Sequence, residues 1–225
     1  MGTVLAEATW PEAEGAGLVL VPVGSLEQHG PHLPLDTDTV IADAVTRGVA
    51  ARLPGAWVAQ PLTYGASGEH QSFPGTISIG AEVLHLVVVE LVRSLRTWAS
   101  RVVFVNAHGG NVRALSGAVD QLVVEGHDVA WVPCATEEHD LHAGATETSL
   151  MLHLRPATVR LDRAEAGCTA PLAEILESMI TGGVGAVSPN GVLGDPAGAT
   201  AEDGRRLLSA LIDDVSDRLA VVGAR

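Results

Sequence analysis

The sequence predicts an α/β fold, a mostly parallel sheet with helices on both faces, and three observations lead there. Short continuous apolar runs recur, they alternate with longer stretches whose apolar residues fall at helical spacing, and one segment of about 30 residues reads strand, helix, strand. The first run, Leu18 to Val23, lies between Gly17 and Gly24 and has the composition of a strand buried on both faces. After Asp38, the residues Val40, Ile41, Ala44, Val45, Val49 and Leu53 repeat at helical spacing until Pro54-Gly55, predicting a helix that covers the sheet. Trp57 to Leu62 is a second apolar run, and residues 65 to 76 are too polar and broken for a regular element, so they form a long loop. From Ala81 to Ala99 the stripe Leu84, Val88, Leu91, Leu95, Trp98 predicts a helix. Val102 to Val105, the helical stretch Val112 to Glu125 closed by Gly126, and Val129 to Val132 make the βαβ unit. A helix follows Thr146. The Gly-rich region from Ala164 has no clear assignment until Glu202, where Leu207, Leu208, Leu211, Ile212, Val215 and Leu219 mark a closing amphipathic helix.

The 225 residues, 47% apolar, suit one domain over residues 1–225. Thirteen basic residues against 27 acidic ones give a net charge of −14, which argues against a nucleic-acid or anionic-membrane partner. Every basic residue is Arg, so lysine Schiff bases and the P-loop lysine are excluded. Cys134 and Cys168 are too few and too far apart for a disulfide framework and are expected as buried thiols. No secretory n-region, lipidation signal or membrane span is found, so the chain is expected in the cytoplasm.

Ligand sites in parallel sheets lie beyond the carboxyl ends of strands, and two such ends carry chemistry. After the first strand comes G-S-L-E-Q-H-G-P-H-L-P-L-D-T-D. In extended backbone Glu27 and His29 point the same way while Gln28 faces elsewhere, so one carboxylate and one imidazole can meet a divalent cation. The alternative is a solvated loop with Asp36 or Asp38 capping a helix. After Val102 to Val105 comes N-A-H-G-G-N, placing His108 at the same edge and Asn111 as a helix cap. His142 and Glu147 stand at another helix start, where the dipole favours a carboxylate and where Thr146 or Glu147 could equally be caps. Glu27, Asp38 and Glu147 sum to −3, and a bridging hydroxide makes −4, which two divalent cations balance. Asp38 can bridge them, and the imidazoles of His29 and His108 suit Zn²⁺, Fe²⁺ or Mn²⁺.

These blocks, with SGEHQSFPGT and H-A-G-A-T-E-T-S, resemble the creatininase-type amidohydrolases. The resemblance implies a three-layer α/β/α fold and a dinuclear centre with Glu27 and His108 on one ion, His29 on the other and Asp38 bridging. Family creatinine hydrolases have a Glu two residues after the motif histidine, where this chain has Gly110. Glu147 is the candidate to replace it, and creatinine is disfavoured as substrate. GASGEHQSFPGTISIGAEVL and GVLGDPAGATAEDGRRL look like the branch of the family that serves mycofactocin biosynthesis. That likeness implies a metal-dependent peptidase cutting an amide near the C-terminus of a modified precursor peptide and releasing a Val-Tyr-derived product, as a homo-oligomer. In the expected mechanism two cations, Fe²⁺ or Zn²⁺ before Mn²⁺, activate a hydroxide that attacks the carbonyl, and His142 passes a proton to the leaving nitrogen. Glu69 and His70 either line the site mouth or close the surface, and Arg113 either meets a substrate carboxylate or is solvated. The alternatives are a family amidohydrolase or deformylase on a small cyclic or formyl amide, and a silent binding protein. A nucleotide at Gly183-Val184-Gly185 is disfavoured by Ser188 at the third fingerprint position.

Overall fold

The computed structural model describes residues 3–134 and 140–222. Five strands, β1 (Thr3–Val4), β2 (Leu18–Val23), β3 (Ala56–Val58), β4 (Val102–Asn106) and β5 (Val129–Pro133), form one sheet in the order β1-β3-β2-β4-β5. Every pairing in it is parallel. Period-two alternation divides the apolar residues between two cores. Val19, Val21, Val23, Val102 and Phe104 face one side, where helices α3 (Ala81–Leu95) and α4 (Val112–Val124) pack through Leu84, Val88, Leu115 and Leu122. Leu20, Val103, Val105 and Val132 face the other, covered by α2 (Thr37–Ala50), α5 (Ala145–Leu154) and α8 (Ala201–Val222). Three layers result, as expected, and both faces of β2 and β4 are buried, which is why their sequences are continuous apolar runs.

Several boundaries differ from the sequence reading. The run from Trp57 to Leu62 keeps only Ala56–Val58 as strand. Main-chain N–H groups of even-numbered β2 residues face β3, as Gly24 N donates to Leu62 O, so Pro22 has no hydrogen to give there and the ladder breaks until Leu62. The stripe on α3 is rotated: Leu84, Val88, Val89 and Val92 are buried, and the helix ends at Leu95. Thr97 and Trp98 follow in tight turns that donate three residues back. Cys134 is buried as expected, but Cys168 is only partly covered. A two-residue edge strand β1 and a short helix α1 (Trp10–Ala13) precede β2, too short to carry a period. The Gly-rich region contains α6 (Leu172–Gly182) and α7 (Val184–Val187). No helix among the described residues is long and apolar enough to cross a membrane.

What places the site is register. Val23 pairs with Asn106, so β2 and β4 end level with each other and release their motif loops at one edge.

Candidate metal centre

Asn111 ties these loops together. Its Oδ1 accepts the Ala66 N–H at 2.8 Å, and its Nδ2 donates to Gly24 O at 3.0 Å and Asn106 Oδ1 at 3.1 Å. The expected cap role is therefore corrected: Asn111 occupies the N-cap position of α4 without a side-chain cap bond, because its amide is committed to three other segments. Asp36 likewise stands at the N-cap of α2 without capping it and pairs with Arg155 at 2.9 Å. The loop after β2 is held on its outer side by Ile77 N to Leu26 O at 2.9 Å and Gln28 N to Thr76 Oγ1 at 3.0 Å. This packing presses the 65–76 loop against the ligand candidates.

The five residues expected as ligands converge. One group consists of Glu27, Asp38 and His108, a second of His29, Asp38 and Glu147, and a third of Glu27, His29 and His142; in each, the candidate ligand atoms lie within 4.8 Å of one another. Asp38 belongs to the first two, facing His29 Nε2 through Oδ1 at 3.0 Å and His108 Nδ1 through Oδ2 at 3.4 Å. Glu27, His29 and Asp38 are 0%, 0% and 2% exposed, whereas Glu147 at 20% marks the open side. Glu147 is positioned by a left-handed residue, Ala143 at φ 56, whose N–H donates to Glu147 Oε2 at 2.6 Å just before α5 begins. The N-cap residue Gly144 receives no side-chain cap bond, so Glu147 does not cap α5; its carboxylate is held by the Ala143 N–H beside the cluster.

Gly110 has no room for a side chain. A Cβ there would stand 2.2 Å from Ala66 O, 2.5 Å from His108 Nε2 and 2.7 Å from Glu69 Oε1. Any further donor at the second group has to come from elsewhere, and Glu147 reaches it from α5.

The electrostatics have the pattern of a site built for cations. Glu27 Oε1 and Oε2 and Asp38 Oδ2 are buried without a hydrogen-bond partner among the described residues. His70 Nε2 and His108 Nε2 each approach Glu27 at 3.2 Å, but off the line of a hydrogen bond. Buried carboxylate oxygens left without donors are costly unless a cation lies between them and the facing imidazoles. His29 makes the same point: its Nδ1 donates to Glu27 O at 3.1 Å, so a neutral ring would turn the Nε2 lone pair directly onto Asp38. Burial works against the charged His29 ring, yet Asp38, with Glu147 and Glu27 behind it, lifts its pKa to about 10, and Glu27 and Asp38 lift His108 to about 9 in the same way. Burial also lifts Asp38 to about 6, helped by the neighbouring Glu27. Glu27 is itself buried, but the surrounding imidazoles outweigh that and hold its carboxyl far below the usual range. Burial drives His70 down to about 3 and His142 to about 4, leaving both neutral.

A cavity of about 830 Å³ opens beside the cluster. His70, His108 and His142 reach its floor with Glu69, and α6 forms an apolar wall through Leu172, Leu176, Met179 and Ile180. Glu69 and His70 thus line the cavity and do not merely close the surface. Arg113 is exposed in a separate groove with Glu82 and His85. Gly183-Val184-Gly185 follows a helix, with Gly183 at φ 72, and is no strand-to-helix turn. The apolar residues Leu172, Ile175, Leu176, Met179 and Ile180 repeat at helical spacing in the region the sequence leaves unassigned, and the fold turns that face to the cavity and not to the sheet.

A creatininase family model, described as creatinine amidohydrolase, matches residues 6–219. The chain is 56% identical over 221 residues to a mycofactocin precursor peptide peptidase of Mycobacterium ulcerans (strain Agy99), covering 95% of this chain and 86% of that protein. Among solved structures, a creatininase described with Mn superposes at TM-score 0.80 with 28% identity, covering 97% of this chain and 98% of that one. A glutamate-to-glutamine mutant creatininase of Zn-Zn type superposes at TM-score 0.79 with 29% identity, covering 97% of each.

Proposed function

This chain belongs to the creatininase family and is a hydrolase of carbon–nitrogen amide bonds, and from that premise we propose that it is a metal-dependent peptidase acting near the C-terminus of the modified mycofactocin precursor peptide, releasing a Val-Tyr-derived product. The observation that carries this reading is a buried set of carboxylate oxygens without hydrogen-bond partners among the described residues, facing the imidazoles that line a cavity with room for a peptide end. Glu27, Asp38 and His108 would hold one divalent cation, and His29, Asp38 and Glu147 a second. Cations bound there lower the pKa of water and polarise a carbonyl; nitrogen and carboxylate donors suit Zn²⁺, Fe²⁺ or Mn²⁺.

The protein's own groups supply the rest. His142 takes up the proton given off as water adds to the carbonyl and returns it to the leaving nitrogen as the C–N bond breaks. Its Nδ1 stands 3.8 Å from Glu27 Oε1, inside the cluster. The α6 wall receives apolar side chains of the peptide and keeps bulk water from the floor. Leu86, Val123 and Val124 stand exposed on the outer faces of α3 and α4, a surface of the kind a subunit contact covers, which supports a homo-oligomer.

Elemental analysis of purified protein, paired with mass spectrometry of a modified precursor peptide before and after chelation, tests this. About two cations per chain and chelator-sensitive release of the dipeptide-derived product are expected. Two cations without peptide cleavage would transfer the site to a small cyclic or formyl amide, and failure to bind metal would overturn the mechanism. His142→Ala should retain both cations and lose turnover by about 10²–10⁴-fold, the usual contribution of acid–base transfer; unchanged turnover would remove His142 from that role.

A further inference from the structure

Gln28 lies between Glu27 and His29 in sequence, but its side chain turns behind the cluster, where it is 5% exposed. Two backbone contacts determine which end of its amide is which. Oε1 accepts the Gly30 N–H at 2.8 Å, and Nε2 donates to Gly191 O at 2.9 Å. A backbone N–H only donates and a carbonyl only accepts, so the amide cannot be turned over. Both partners are left-handed glycines, Gly30 at φ 65 and Gly191 at φ 81. A Cβ on Gly191 would stand 1.9 Å from Gln28 Oε1, so this close approach requires glycine.

Nε2 has one hydrogen left, and two imidazoles are within reach: His70 Nδ1 at 2.9 Å and His142 Nε2 at 3.0 Å. His142 Nε2 is also 2.8 Å from the Gln28 main-chain oxygen, an acceptor, so it carries its own hydrogen there and has no lone pair for the amide. The remaining amide hydrogen goes to His70 Nδ1, which must be bare.

We infer that Gln28 is a positioning residue that locks His70 and His142 in the same Nε2–H tautomer but turned opposite ways, so that His70 presents a hydrogen-bond donor to the cavity floor and His142 an acceptor. The two rings lie with centroids 4.5 Å apart and are fixed by one residue, His70 by its side-chain amide and His142 by its main-chain oxygen. His70 Nε2 is as close to Glu27 as His108 Nε2 is, at 3.2 Å, yet a nitrogen that bears hydrogen cannot ligate a cation. His70 is therefore excluded from the ligand set, and because His70 lines the cavity beside Glu27, its N–H can donate to the oxygen of the amide being cut as negative charge develops there. The bare Nδ1 of His142 is the atom that proton transfer requires. The hydrolytic use of the two nitrogens rests on the reading above; their protonation pattern does not.

Long-range proton–nitrogen correlation spectra of protein labelled with ¹⁵N-histidine and loaded with two equivalents of Zn²⁺ read the tautomers without any substrate. Failure to cleave the peptide therefore leaves this measurement intact. The expected spectrum has hydrogen on Nε2 of both His70 and His142. Hydrogen on Nδ1 of His70, or on Nδ1 of His142, overturns the assignment even if no variant folds. Gln28→Glu replaces the donor with an acceptor and should move the His70 hydrogen to Nδ1 while zinc stoichiometry holds. Turnover number should fall about 10–100-fold with little change in KM, the scale of losing a partner that orients an active-site group. A variant that leaves the His70 pattern in place would also refute the role.

Discussion

Asp38 is the carboxylate shared by the two groups proposed to hold cations. Asp38→Ala is expected to abolish binding of both cations, and activity should fall by more than the roughly 100-fold that loss of a mere outer partner costs. Elemental analysis of the variant decides the point, and full occupancy would remove the bridging role. Cys134 makes a different residue-scale prediction. Burial, with Asp38 and Asp214 adding repulsion, raises its pKa from 9.0 to about 12, so the folded state keeps a proton that the unfolded chain gives up near pH 9. The stabilisation from this group is complete below pH 9 and is lost as pH rises toward 12, by up to about 1.4 kcal/mol per pH unit. Melting temperatures of wild type and Cys134→Ala between pH 8 and 11 should diverge in slope, the wild type falling more steeply; parallel curves would refute it. At this scale the convergence of Glu27, His29, Asp38, His108 and Glu147 was legible, because Glu27, His29 and His108 follow strand ends and Asp38 and Glu147 stand in the first turns of helices, each of a residue type that signals chemistry. Asn111 was misread because its hydrogen bonds run to Gly24 and Ala66, distant in sequence and joined only by folding.

Among the elements, α5 and α8 carry the tightest crossing. Gly204 of α8 lies against α5 so closely that a Cβ would stand 1.9 Å from Ser149 O. That atom is backbone, so relief requires moving a helix, and α5 is the helix that presents Glu147. Gly204→Ala should therefore destabilise by about 1–3 kcal/mol, the range for overpacking, and lower the melting temperature by roughly 3–10 °C. Differential scanning calorimetry checks it, and an unchanged midpoint would mean that the helices separate without cost. Helices with a buried face were readable from periodicity, as in α4 and α8. On α3 the period was correct and the face was rotated, since Leu91 and Leu95 are as apolar as Val89 and Val92 and only packing on the sheet ranks them. The apolar residues of α6 keep the same helical period, and packing alone decides that they face the small cluster of Ile175, Val184 and Leu193 and the cavity, and not the sheet.

For the whole molecule, the three carboxylates of the cluster make the fold itself sensitive to metal. A ligand that binds only the native state at 100 times its Kd adds about 2.7 kcal/mol, which for a chain of this length raises the melting temperature by roughly 5–10 °C per site. Titration with Zn²⁺ or Mn²⁺ should therefore raise the midpoint and a chelator should reverse the rise, whereas a midpoint indifferent to metal would mean that the cluster is neutralised by its own imidazoles. By itself the sequence determined the α/β architecture and the sheet edge at which the candidate ligand residues gather, because apolar period and residue chemistry are local properties. Only the tertiary structure decided that Val23 and Asn106 end level, that Gly110 is closed by Ala66 and Glu69, and that Gln28 sits between His70 and His142. Those depend on strand register and on loops packed from distant parts of the chain, and no local pattern encodes the distance between two such segments.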